Sequence, residues 1–401
     1  MWKKNPALAR ARGIFFTTRP MPPESSHSRK NPFLGTLGVN RRLTGEGSNK
    51  DTRHIEISLE GSGFLYEVGD SLGVFPSNDP VMVEMLLKRL GFSGGEECAI
   101  DSEGGSRLMR EALTRDFTIT SPSRQLLQAV VEKDSSAAFL APILDPASRP
   151  HLEKFLRGRD ILDVLEEFPA VKFSPEEFAG VLRKLQPRLY SIASSQKAVG
   201  DSVHLTVAVV RYSVGHSPRP RGGVCSTFLA ERSGAGVPVF VHSAKHFRMP
   251  ENPETPLIMI GPGTGVAPFR AFLQDRKAAR TTGFSWLIFG EQHAATDFLY
   301  REEFETARAD GTLTKLTTAF SRDQDHKVYV QHRMEEEGAA LFEQLERGAC
   351  FYVCGDAAHM ARDVDAALHR LIQVHGGRTP EQANEYVDAL KKDKRYRKDV
   401  Y

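Results

Sequence analysis

From Arg53 the chain alternates polar and apolar side chains through His54, Ile55, Glu56, Ile57, Ser58 and Leu59. That period of two predicts a strand with one buried face. Tyr66 to Val74 reads as strand, turn and strand, and Asp79 to Leu90 places its apolar residues at helical spacing. Further helical stretches are expected between Arg124 and Leu185, broken by Pro142, Pro146, Pro150, Pro169 and Pro175. Strands return at Arg188 to Ile192 and at His204 to Tyr212, where Leu205, Val207 and Val209 face one way. The pattern describes a discontinuous strand-built unit, residues 31–75 and 186–250, interrupted by a helical insertion over residues 76–185.

After Pro256 the rhythm becomes apolar strand, glycine turn, helix. Leu257 to Ile260, Trp286 to Phe289, Leu316 to Phe320 and Cys350 to Cys354 are the expected strands of a doubly wound parallel sheet filling residues 251–401. Residues 1–30, rich in Pro, Ser, Lys and Arg, have no period and read as a disordered tail or linker. No fixed-period repeat occurs.

Composition narrows the field. At 401 residues the chain needs more than one core. Its 53 basic and 51 acidic residues leave a net charge of +2, which argues against nucleic acid as a partner. No apolar run approaches the roughly 18 residues of a membrane-spanning helix, so no membrane association is expected. Cys98, Cys225, Cys350 and Cys354 form no Cys-x-x-Cys pair or cluster with histidine; no metal site is expected, and a reducing cytoplasm fits best. The first 23 residues are basic and acid-free, but they lack a long apolar core and prolines interrupt them, which favours a tail over a targeting segment.

Four local patterns carry chemistry. Leu257 to Ile260 feeds Gly261-Pro262-Gly263-Thr264-Gly265 and then a helix through Ala279; the glycines permit close approach, and the helix start favours an anionic phosphate. Ser321 and Arg322 follow a strand, with Lys327, Val328, Tyr329, Val330 and Gln331 close behind. Where an acidic residue would select the ribose hydroxyl of NAD, arginine and lysine favour a 2′-phosphate. Cys354 ends a strand where ligands collect in such sheets, whereas Cys350 reads as buried structure. Finally, Arg188-Leu189-Tyr190-Ser191 precedes a second glycine turn, Gly222-Gly223-Val224-Cys225; arginine can clamp a diphosphate, an aromatic ring can cover an isoalloxazine, and a serine hydroxyl can bond its reactive edge. Each pattern alone also has an ordinary structural explanation. Together they fit two dinucleotides, one resident and one exchanging.

In these residues and their order, from about residue 34 onward, the chain resembles the FAD/NADPH-binding, ferredoxin-NADP reductase-type module of diflavin reductases, the sulfite reductase flavoprotein subunit above all. Arg188 to Ser195, Gly261 to Asp275, Ser321 to Gln331 and Phe351 to Asp356 carry the likeness nearly letter for letter. It implies an antiparallel FAD-binding barrel with a helical insertion, followed by a doubly wound NADP-binding sheet. It also implies that FAD contacts Thr118, Arg188, Leu189, Tyr190, Ser191, Thr206, Val207, Ala208, Tyr212, Gly222, Gly223, Val224 and Cys225, with Tyr401 stacked on the ring. NADPH would meet Thr264, Ser321, Arg322, Lys327, Val328, Tyr329, Val330, Gln331 and Asp363, with Arg41 a weaker candidate. Ser191, Cys354 and Asp399 match the family's catalytic trio, and the nicotinamide would displace Tyr401 to reach the flavin.

Members of that family usually carry a flavodoxin-like FMN domain, which residues 1–30 cannot supply. The expectation is therefore an NADPH-dependent oxidoreductase that passes electrons from FAD to a separate protein: the sirohaem and iron-sulfur haemoprotein of sulfite reductase, a flavodoxin or a ferredoxin. A general ferredoxin or flavodoxin reductase is the alternative, and the helical insertion weighs against it. A non-enzymatic, flavin-bearing docking subunit is the third reading, and the intact trio weighs against that.

Overall fold

The computed structural model describes residues 25–401, apart from 102, 216 and 235. The tail expected over residues 1–30 thus lies, up to residue 24, outside the described residues. Within residues 25–30, which form no regular element, Ser25 donates to the Ser62 carbonyl (2.6 Å) and His27 packs edge-on to Phe33.

Strands β1 (Phe33–Arg42), β2 (Thr52–Ser58), β3 (Ser71–Val74), β6 (Arg188–Ser191), β7 (Ser202–Ala208) and β10 (Gly236–His242) form one antiparallel sheet in the order β6-β3-β10-β1-β2-β7. An antiparallel bridge between Ile192 and Leu205 joins its two edges, which closes the sheet into a barrel. Ile55, Ile57, Leu72, Val203, Leu205, Val207, Val237 and Val239 fill it. Two hairpins sit apart: β4 (Glu97–Ala99) with β5 (Ser106–Leu108), and β8 (Arg211–Val214) with β9 (Ser217–Gly222).

The chain departs from its expected pattern in two places. Only Ser71–Val74 forms a strand within the stretch Tyr66 to Val74. Upstream, the Tyr66 amide is taken by Gln196 Oε1, and the Asp70 carboxylate accepts from the Glu67 and Ala244 amides, so a side-chain-bonded loop replaces ladder pairing. The strand expected over His204 to Tyr212 stops at Ala208, and Arg211 begins the separate β8–β9 hairpin. The observed strand Phe33–Arg42 has no counterpart in the sequence reading, because Gly35, Gly38 and exposed residues blur its alternation.

The helical insertion has its own core, built on Leu86, Leu113, Leu126, Leu140, Val164 and Phe178. Buried ion pairs fasten it to the barrel: Arg221 on β9 meets Asp160 at 2.7 Å and Asp163 at 2.6 Å. Those two carboxylates belong to the capping box that opens the helix Ile161–Glu167.

Strands β11 (Leu257–Ile260), β12 (Ser285–Glu291), β13 (Lys315–Phe320), β14 (Cys350–Gly355) and β15 (Tyr396–Val400) form a parallel sheet in the order β13-β12-β11-β14-β15. Apolar cores cover both faces, which explains why β11, β12 and β14 are wholly buried. The order reverses between β11 and β14, and ligands bind outside the carboxyl ends of strands at such a switch. No helix among the described residues is long and apolar enough to cross a membrane.

Candidate functional site

Three strands deliver Ser191, Cys354 and Asp399 to one place. Parallel pairing sets Asp399 of β15 beside Cys354 of β14, and the Ser191 hydroxyl at the end of β6 donates to Asp399 Oδ2 at 2.7 Å. The Cys354 thiol is fully buried against this pair and bonds to Ser191; burial, and then the Asp399 charge, push its pKa well above the ordinary thiol range. It is therefore a protonated, neutral group, packed against the barrel edge where that edge meets the sheet.

Tyr401 continues β15: its amide donates to the Gly355 carbonyl (3.1 Å), and its hydroxyl is bonded to that of Thr264 at 2.8 Å. Tyr401, 63% exposed as a residue, lines a cleft of about 760 Å³. Ala208, Val210, Arg211, Gly263, Thr264 and Lys50 line the same cleft. A second cleft, of about 580 Å³, gathers Ser321, Arg322, Lys327, Tyr329, Val330, Gln331 and Asp363. Gln331 Nε2 donates to Asp363 Oδ2 at 3.3 Å, fastening the start of helix Val330–Glu336 to helix Met360–Gly376. Val328 instead points into the core under the sheet, so its side chain is structural.

The glycine turn after β11 works differently from its sequence reading. An added Cβ at Gly261 would lie 2.6 Å from the Phe269 ring, and one at Gly265 would lie 2.1 Å from the Cys354 carbonyl. Both are glycine because protein packs against them. Only Gly263, at φ +56°, is both left-handed and open toward the clefts.

The residues expected at FAD also converge. Arg188, Leu189, Tyr190 and Ser191 lie along β6, in register with β3. Tyr190 bonds to Cys225, whose thiol burial pushes up to about 12, and the Gly223 amide donates to the Val210 carbonyl at 2.9 Å. Ladder pairing places Gly222 opposite Arg211 and Tyr212 opposite Arg221, and Val224 opens the short helix that carries Cys225. Leu189 is 51% and Tyr212 47% exposed, large apolar faces of the kind that mark a binding surface. Arg188 is exposed, with one guanidinium nitrogen on the Gln186 carbonyl. These groups would suit a flavin dinucleotide, with Leu189 and Tyr212 as apolar faces for a ring, Arg188 as a cation for a diphosphate and Ser191 as a polar group for its ring edge.

Other predicted residues lie elsewhere. The Thr206 hydroxyl is bonded to Tyr300 at 2.8 Å and Val207 fills the barrel core, so both offer only backbone. Thr118 donates to the Lys184 carbonyl, beside the segment entering β6. Arg41 lines a third cleft, with Phe298 and Arg301.

Two domain families match the sequence: FAD binding domain over residues 25–228, and oxidoreductase NAD-binding domain over residues 259–366. The chain belongs to the FAD binding domain family. It is 47% identical over 380 residues to the sulfite reductase [NADPH] flavoprotein alpha-component of Bacillus subtilis, covering 94% of this chain and 62% of that one. The proteins of the same name from Vibrio cholerae and Shewanella oneidensis are each 44% identical, over 94% of this chain and 61% and 62% of theirs. The chain thus spans about three-fifths of the length of the relatives it matches.

In this member of the FAD binding domain family a buried polar network seals the barrel to the NAD-binding domain. His54 Nδ1 is bonded to the Tyr300 hydroxyl at 3.0 Å and His54 Nε2 to Glu56 at 2.9 Å. Arg270 donates to the Ala193 carbonyl and lies 3.3 Å from His204 Nδ1. Burial, then the Arg270 charge, pushes both imidazoles down to about 4, so they are neutral. Sequence reasoning missed this network and the Arg221 pairs, because their members lie far apart in the chain with no motif spacing.

Proposed function

We propose that the protein is an NADPH-oxidising FAD flavoprotein that delivers electrons to a separate redox protein, the sirohaem haemoprotein of sulfite reductase. The observation that carries the nucleotide half is the second cleft, where exposed Arg322 and Lys327 flank the Ser321 and Tyr329 hydroxyls at the end of β13. Two cations beside two hydroxyl donors suit a 2′-phosphate and give NADH nothing to bind them. The names of the relatives, with 44–47% identity, support the acceptor half. Four free cysteines accord with a reducing cytoplasm as the place of action.

Bound FAD supplies hydride acceptance and release of single electrons. The chain's own residues set the geometry. Asp399 holds the Ser191 hydroxyl in one orientation, with its proton on the 2.7 Å bond. Its carboxylate balances positive charge on the nicotinamide side, and the neutral Cys354 thiol packs beside it without competing for a proton. Tyr401 is held by an exposed hydroxyl pair worth about 1 kcal/mol, a small barrier to its displacement by a nicotinamide. The Thr264 hydroxyl is freed by the same movement.

Steady-state oxidation of NADPH by the FAD-loaded chain, with sulfite reductase haemoprotein, flavodoxin or ferredoxin as acceptor, tests the assignment. Haemoprotein reduction without added carrier supports it. Turnover with flavodoxin or ferredoxin alone replaces it with a general carrier reductase.

A further inference from the structure

The two clefts meet at a cross-domain ion pair to which the contacts above give no role. Lys50, on the loop between β1 and β2, places its ammonium 2.7 Å from each carboxylate oxygen of Glu291, the last residue of β12. The Glu291 side chain is 3% exposed and that of Lys50 38%. The same loop is pinned to the NAD-binding domain twice more: the Gly45 amide donates to the Thr296 carbonyl at 2.7 Å, and the Ser48 hydroxyl to the Asp297 carboxylate.

Lys50, Pro262, Gly263, Glu291 and Asp356 line both clefts. A dinucleotide with its nicotinamide half in one cleft and its adenosine half in the other must carry its diphosphate past this group. A carboxylate at that point repels a diphosphate unless it is neutralised, and Glu291 faces the open side of the glycine turn: a Cβ on Gly263 would lie 3.5 Å from its Oε1. An ammonium has three N–H donors, and the two bonds to Glu291 use two of them. The third is free to meet a phosphate oxygen without breaking the pair.

We propose that Lys50 is a positioning residue for the diphosphate of the nicotinamide dinucleotide, with Glu291 fixing its ammonium at the junction of the clefts. The barrel thereby grips a nucleotide seated on the other domain. The inference rests on the nucleotide reading given under Proposed function, but only on a diphosphate passing between the clefts, not on the 2′-phosphate.

Calorimetric titration of the FAD-loaded chain with NADP⁺, and with adenosine 2′-phosphate, which lacks the diphosphate, tests it. Lys50→Met should weaken NADP⁺ about tenfold, as expected for one charge-assisted bond, and leave adenosine 2′-phosphate within about twofold. Lys50→Arg should keep NADP⁺ within about threefold. Lys50→Met with Glu291→Gln, which removes the unpaired carboxylate, should remain about tenfold weak. Equal weakening of both ligands, no loss for NADP⁺, or recovery of wild-type affinity in the double variant overturns the proposal. Failure of the wild type to bind adenosine 2′-phosphate sinks the 2′-phosphate reading alone, and Lys50 is then judged by the same criteria on NAD⁺, which carries the same diphosphate.

Discussion

Acid should loosen the joint between the two domains through His54 and His204. Both imidazoles are pushed down from 6.5 to about 4, first by burial and then by Arg270, and they share Glu56 as the nearest carboxylate. In the unfolded chain each binds a proton near pH 6.5; in the fold neither does until about pH 4. Their contribution to stability is therefore complete above pH 6.5 and is lost as pH falls toward 4. The slope is about 1.4 kcal/mol per pH unit for each histidine. At about pH 5 the loss is about 2 kcal/mol for one and about 4 for the pair if they titrate independently. Urea unfolding of the wild type and of His54→Gln/His204→Gln between about pH 7.5 and 5 measures it, because the difference between the two curves cancels the carboxylates elsewhere. A double variant whose unfolding free energy falls with acid as steeply as that of the wild type would refute the buried, neutral assignment.

Three further expectations concern the cofactor sites. Arg221→Met removes one of the two arginines paired with Asp160 and Asp163, Arg219 being the other, at a cost of about 1–3 kcal/mol; the β9 end carrying Gly222 should shift, and FAD should be lost faster on gel filtration. Ser191→Ala removes a bond to a charged group; if that bond acts in the transition state, flavin reduction slows about 10- to 150-fold with NADP⁺ affinity nearly unchanged, and a full rate would remove Ser191 from the reaction. Arg322→Ala should raise the KM for NADPH about tenfold or more and leave that for NADH within about twofold, while Tyr401→Ala should improve use of NADH; equal Arg322→Ala effects on both nucleotides, or an unchanged preference in Tyr401→Ala, would count against those roles.

How much of this was legible in the sequence depends on where each residue finds its partners. Leu257–Ile260 and Cys350–Gly355 are continuous apolar runs because helices cover both faces of a parallel sheet, so their strands could be read directly. Gly236–His242 carries Pro238, and Phe33–Arg42 exposes most of its residues, so neither barrel strand has a clean period. Ser321, Arg322, Lys327, Tyr329, Val330 and Gln331 of the second cleft are close in sequence, and pattern alone grouped them. Ser191, Cys354 and Asp399 meet only through strand pairing between distant segments, and resemblance rather than spacing brought them together. Thr206 shows the limit of such carry-over: its hydroxyl is committed to Tyr300. Lys50 and Glu291 are 241 residues apart and belong to no motif, so only the fold reveals them as a pair.

The most direct test of the account is anaerobic stopped-flow mixing of the FAD-loaded chain with NADPH and, separately, with NADH, following the flavin absorbance. The account predicts rapid bleaching by NADPH and a second-order rate constant for NADH lower by about a hundredfold or more, the worth of two charge-assisted contacts to one phosphate. Equal rates with the two nucleotides, or no bleaching by either, would contradict it.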